Sequence, residues 1–139
     1  MKPTFLRPLA YFVPLAEGID VQSLAALSEE QFASVWHRCM KAEEERIYQA
    51  NPDVIEREID EEYVLVPTGQ YAQHFNGMIP LNIISHFIWK QFAQPRTLGD
   101  VLRAAKAEFD DPHHMLDIQV RKLVQDYAQM GVLVIVTRN

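Results

Sequence analysis

Cysteine is almost missing from this chain. The single residue, Cys39, excludes an internal disulfide and any zinc or iron–sulfur site built on several cysteines. Positive charge is also short, with 13 Lys and Arg against 19 Asp and Glu and a net charge of −6. That balance argues against nonspecific phosphate binding, which needs clustered Lys and Arg, so no nucleic-acid partner is expected. Glycine is scarce at 5 residues, and no Gly-rich phosphate loop appears. No apolar run approaches the ~20 residues of a membrane span. The opening MKPTFLRPLAYFVPLAEG is apolar, but Pro3, Pro8 and Pro14 break it and deny it the continuous centre of a signal peptide. The expectation is a cytoplasmic protein with no membrane contact.

Catalytic patterns are equally thin. There is no nucleophile elbow and no metalloprotease pair. His113-His114 is the nearest thing to a metal site, but adjacent side chains on a forming helix point about 100° apart and rarely share one ion. His37 and Cys39 are two residues apart and do not share a helix face, while His74 and His86 fall on different elements. Glu43-Glu44-Glu45 and Asp60-Glu61-Glu62 read as solvated faces. No catalytic residue, no metal ligand and no cofactor is expected, and the protein reads as a non-enzyme.

What is present is patterned. At 139 residues the chain suits one domain with an appendage, domains usually running ~100–150 residues. Residues 1–18 carry Phe5, Leu6, Leu9, Tyr11, Phe12, Val13 and Leu15 without periodicity, so this arm should lie against its own domain or a partner. Asp20 starts a brief helix. Ser28 and Gln31 then form a capping box before a long amphipathic helix with Phe32, Val35, Trp36, Cys39, Met40 and Ile47 on one stripe. That helix should end before Asn51-Pro52. Residues 55–59 alternate as a half-exposed strand, residues 60–62 turn, and Tyr63–Pro67 is a second strand. The third strand follows Thr68-Gly69, as residues 70–75, or Asn76-Gly77, as residues 78–81. Asn82 caps a helix whose buried face is Ile84, Phe87, Ile88 and Phe92. Thr97 with Asp100 caps the next, with Leu98, Val101, Leu102, Ala105 and Phe109 inward. Asp111-Pro112 opens the last helix, striped by Leu116, Val120, Leu123, Val124, Tyr127 and Met130 and closed by Gly131. The remaining VLVIVT suits a short strand.

The run VPTG, then FNGMIPLN, then Ile88-Trp89, then TLGDVLRAAKAEFD and MGVL resembles the PqqD-like family, pyrroloquinoline quinone biosynthesis protein D, over residues 54–134. The resemblance implies an α+β fold: a small three-stranded antiparallel sheet followed by three helices, winged-helix-like. Residues 1–50 form an N-terminal extension and residues 51–139 the recognition domain. It implies that the leader of a ribosomally made precursor peptide is bound and presented to a modifying enzyme, often a radical S-adenosylmethionine enzyme. A homodimer is a further partner it allows.

The resemblance also favours Phe75–Leu81 as the third strand, with Tyr71–His74 continuing it. The leader would add beside that strand and lie against the last helix. Carried over, that puts Phe75, Gly77, Met78, Ile79 and Leu81 on the strand side and Val120, Leu123, Val124 and Tyr127 on the helix side, some of which must face the core instead. Arg121 and Lys122 fall on the more polar side of the last helix, either as a solvated face or as a pair that steers acidic leader residues. Pro80 departs from the family pattern by removing a ladder donor, and Gln119 stands where an acidic residue is frequent. Two other readings remain at this level: a winged-helix DNA-binding regulator, and a structural subunit of a maturation complex whose sheet edge its own arm covers.

Overall fold

The computed structural model describes residues 11–137, so the expectations for Phe5, Leu6 and Leu9 lie outside the described residues. After an extended stretch, Asp20 caps a 3-10 turn, Val21–Ala26, by accepting from the Gln22 N–H. The capping box is present: Ser28 Oγ accepts from the Gln31 N–H and Gln31 Oε1 from the Ser28 N–H, opening α1, Glu29–Glu44.

Helix α1 is shorter than its stripe implied. It ends at Glu44, and Ile47 lies in a strand, β1, Ile47–Ala50. Glu43, Glu44 and Glu45 stand at the negative end of the helix dipole, where acidic side chains are unfavourable. Burial of Tyr48 against the core rewards the extended alternative.

Three strands then form one antiparallel sheet: β2, Val54–Ile59; β3, Glu62–Pro67; and β4, Ile79–Leu81, in the order β2-β3-β4. Asp60 and Glu61, both at positive φ (50° and 67°), make the two-residue turn between β2 and β3, as type I′ geometry requires. Neither Thr68-Gly69 nor Asn76-Gly77 is a hairpin. Gly69 sits at φ 53° against the Asp53 carboxylate, and the Thr68 N–H donates to the Asp53 carbonyl at 2.7 Å. A single helical turn, α2, Tyr71–His74, follows. The third strand is therefore only Ile79–Leu81. Tyr71–His74 does not continue it, Phe75 caps α2, and Gly77 and Met78 lie in the approach to β4.

Helix α3, Ile83–Gln91, buries Ile88 with the following Phe92, leaving Ile84 and Phe87 half-buried. Thr97 Oγ1 caps α4, Leu98–Glu108, by accepting from the Asp100 N–H. The last helix, α5, is Leu116–Met130, not a helix from Pro112. His114 is left-handed (φ 54°) and interrupts the chain, and the Asp111 carboxylate reaches forward to the N–H groups of Met115 and Leu116. Gly131 at φ 82° ends α5, where an added Cβ would meet the Tyr71 ring at 3.2 Å.

The terminal run is β6, Leu133–Val136. It pairs with β1, which also pairs with β5, Arg96–Thr97, giving a second sheet in the order β5-β1-β6. Of its three strands only β6 is legible in the sequence, as the VLVIVT run; β5 is two residues long and β1 hides inside a helical stripe. The first sheet followed by α3, α4 and α5 is the α+β architecture expected. Leu65, Ile88, Phe92, Val101, Val120, Val124 and Val132 fill the core beneath.

Candidate functional site: the open side of β4 and the groove beside α5

β4 ends its sheet, with β3 on one side and, among the described residues, no strand on the other. Its register to β3 is Ile79↔Leu65, Pro80↔Val64 and Leu81↔Tyr63. Pro80 has no N–H, so the ladder bonds run through Ile79 and Leu81, and alternation turns Met78, Pro80 and Asn82 to the open side. Asn82 is already committed: its N–H donates to Ser85 Oγ at 2.8 Å and its carbonyl accepts from the His86 N–H at 2.9 Å. Among the described residues, the backbone groups left without a partner there reduce to the Met78 N–H and the carbonyls of Met78 and Pro80. Main-chain pairing is thus curtailed, and side chains must supply most of any affinity.

Those side chains are close by. A cavity of about 230 Å³ opens between the start of α3 and α5, lined by Asn82, Ile84, Ser85, Gln119 and Leu123. It has no charged wall. Asn82 and Ser85 cap each other reciprocally, Asn82 Oδ1 accepting from the Ser85 N–H at 2.8 Å, which fixes the strand-to-helix corner. The next turn of α3 is pinned to the sheet. His86 stacks on Tyr63 with ring centroids 3.7 Å apart, and its Nε2 lies 2.6 Å from Glu56 Oε1. On the approach, Met78 is 70% exposed, and Ile83 is 79% exposed, so apolar surface stands free at this corner.

The expected site residues separate on burial. Leu123 lines the groove, Ile79 and Leu81 are half-buried on β4, and Met78 is free. Phe75 is half-buried and stacks on Tyr71, with Gly77 against its ring. Val120, Val124 and Tyr127 are corrected to core: each is buried, because α5 packs on α4 along that stripe. Burial also pushes the Tyr127 hydroxyl above its ordinary pKa.

Arg121 is corrected as well. It is 2% exposed and bonded by Nε to Asp117 (2.6 Å), by one terminal nitrogen to Glu43 (2.7 Å) and by the other to Glu44 (2.7 Å). Burial works against its charge, but Asp117 and Glu43 outweigh it and hold the guanidinium above its usual pKa. Lys122 pairs with Asp126 along α5 at 2.6 Å. Neither is a free steering charge.

Arg121 instead anchors the arm. The Tyr11 hydroxyl donates to Glu43, and the side-chain amide of Gln125 both accepts from the Phe12 N–H (3.3 Å) and donates to the Phe12 carbonyl (2.8 Å). Burial first, and then Glu43, raise the Tyr11 pKa. Residues 11–17 therefore pack on α1 and α5 of their own chain, away from the β4 groove. Composition alone did not point to Ile84, Ser85 or Gln119 as groove lining. The cap pair Asn82–Ser85 and the i, i+4 spacing of Gln119 and Leu123 were the available signals. Among the described residues no cluster of His, Cys, Asp and Glu is placed to hold a metal, and no helix is long and apolar enough to cross a membrane.

The architecture defines a small α+β domain of winged-helix type with an open strand beside its last helix. The family model described as coenzyme PQQ synthesis protein D (PqqD) matches residues 62–133, more than half of the chain, and the chain belongs to that family. A solved structure described as TbiB1 in complex with the TbiA(beta) leader peptide is similar at 18% identity and a TM-score of 0.49, over 61% of this chain and 93% of that one. No curated protein matches.

Proposed function

We propose that this protein is a non-enzymatic recognition element. It binds the leader of a ribosomally synthesised precursor peptide along β4 and α5 and presents the precursor to a modifying enzyme, by family resemblance often a radical S-adenosylmethionine enzyme. The observation that carries this reading is the uncharged cavity of about 230 Å³ beside the one unpaired side of β4. An extended chain there meets the Met78 N–H and two carbonyls, and seats an apolar side chain against Ile84 and Leu123. The Asn82–Ser85 corner and the His86–Tyr63–Glu56 contacts hold β4 and the start of α3 together as one wall of the groove, with Gln119 and Leu123 of α5 as the other. The extension, residues 1–50, with Phe32 and Trp36 exposed on α1, supplies the surface toward the enzyme. A DNA-binding reading finds no support on α5, whose Arg121 is buried and whose Lys122 is paired.

The test titrates candidate leader peptides calorimetrically against wild type, Leu123→Arg and Met78→Pro. Leu123→Arg is expected to abolish binding. Met78→Pro removes a single donor worth about 0.5–1.5 kcal/mol and should weaken binding roughly threefold to tenfold. Equal affinity for all three proteins would end the groove assignment.

A further inference from the structure

The sheet that ends in β4 has a second border on its far side, β2, Val54–Ile59. The Thr68 N–H donates to the Asp53 carbonyl at 2.7 Å, which fixes the alternation of the strand that follows. Ile55, Arg57 and Ile59 turn their backbone groups to β3, opposite Val66, Val64 and Glu62. Val54, Glu56 and Glu58 turn theirs outward. The Val54 N–H is taken by the Asn51 carbonyl at 3.0 Å. Among the described residues, the N–H and C=O groups of Glu56 and Glu58 and the Val54 carbonyl have no partner. Glu58 is exposed and Glu56 is half-buried. This row is longer than the one on β4, and no proline interrupts it.

A cavity of about 520 Å³ opens along that border, between β2, the end of α3 and the end of β1. Val54, Ala50, Trp89 and Ala93 give it apolar walls, and Glu56 and Lys90 also line it. It is larger than the cavity of about 230 Å³ beside β4, and the arrangement is the same: an open strand next to a helix. β3 lies between the two borders, so one can be filled while the other is occupied.

We propose that β2 is a second strand-addition site, which takes a basic extended segment of a partner protein rather than the leader. The segment pairs antiparallel, with a Lys or Arg opposite Glu58 and an apolar residue two positions on, opposite Glu56 and directed at the cavity. Charge selects this occupant. Glu58 forms no ion pair among the described residues, and Asp60, Glu61 and Glu62 follow it at the turn. A second copy does not fit. Pairing β2 with itself about Arg57 sets Glu56 of each copy opposite Glu58 of the other, like charge against like.

The probe is the acetylated, amidated heptapeptide Thr-Lys-Thr-Val-Thr-Val-Thr, titrated into the full chain and followed by two-dimensional NMR. The amides of Glu56 and Glu58 and the Trp89 indole are expected to shift together, and the Met78 amide to stay in place. Glu in place of the Lys of the probe should weaken binding about threefold to tenfold, and Glu58→Lys in the protein should reverse that preference. Glu58 is exposed, so the variant should keep wild-type circular dichroism. A probe N-methylated at its first Val, the residue facing Glu56, should not bind. Unmoved Glu56 and Glu58 amides, equal binding of the Lys and Glu probes, a preference that Glu58→Lys leaves unchanged, or full binding of the N-methylated probe would each overturn the proposal. So would displacement of the probe by a leader that binds the β4 groove, which gives this border to the leader. Shifts of the Glu56 and Glu58 amides on dilution without probe would give it to a second copy and overturn the proposal equally.

Discussion

Replacing Arg121 by Met tests whether the buried charge network holds α1 and the arm to α5. The guanidinium is 2% exposed and faces three carboxylates, of which only Glu43, 4% exposed, is buried with it. Glu44 and Asp117 are 41% and 31% exposed and rehydrate when their partner leaves, so they contribute little. Glu43 cannot rehydrate. Among the described residues it keeps only the Tyr11 hydroxyl as a donor, and stranding one member of a buried pair costs about 3–5 kcal/mol. That is a large share of the ~5–15 kcal/mol by which a domain is stable. Urea unfolding followed by circular dichroism reads it directly. Adding Glu43→Leu to Arg121→Met removes the stranded carboxylate and should restore about 2 kcal/mol, although it deletes another native interaction. If Arg121→Met costs less than about 1 kcal/mol, or the double variant is no more stable than the single, the network does not hold the helices as described.

Asn82→Ala should lower stability by about 1 kcal/mol in thermal unfolding, since the Asn82 Oδ1 cap on the Ser85 N–H is lost while the backbone N–H of residue 82 still donates to Ser85 Oγ. An unchanged midpoint would show that the corner is held by packing alone. Alkaline pH should unfold the protein through its tyrosines. Burial raises Tyr11, Tyr48, Tyr71 and Tyr127 above the ordinary 10.0, so their contribution is complete below pH 10 and lost as pH rises through the folded-state values. Tyrosinate absorbance and loss of ellipticity should therefore rise together. Full tyrosinate absorbance with native ellipticity would contradict that assignment.

Local sequence chemistry set the helix starts. Ser28, Asn82 and Thr97 each satisfy free N–H groups within three residues, and Gly131 adopts the left-handed turn that ends α5. The β2–β3 hairpin and the α5 stripe were equally legible, because alternation and helical spacing are short-range signals. The β1 strand was not, since its extended state depends on pairing with β6 more than eighty residues away. Nor were the roles of Val120, Leu123, Val124 and Arg121 separable. One helical stripe serves both core and groove, and only the packing of α4 and α1 against α5 decides which residue faces which.

The sequence by itself determined where α1, α3 and α4 begin, which residues are apolar, and which family order they follow, because those depend on neighbours a few residues apart. The tertiary structure alone decided that Arg121 is buried, that residues 11–17 lie away from β4, and that β1 joins β5 and β6 in a second sheet. Burial and strand order are properties of chain segments brought together from a distance, and no local pattern encodes them.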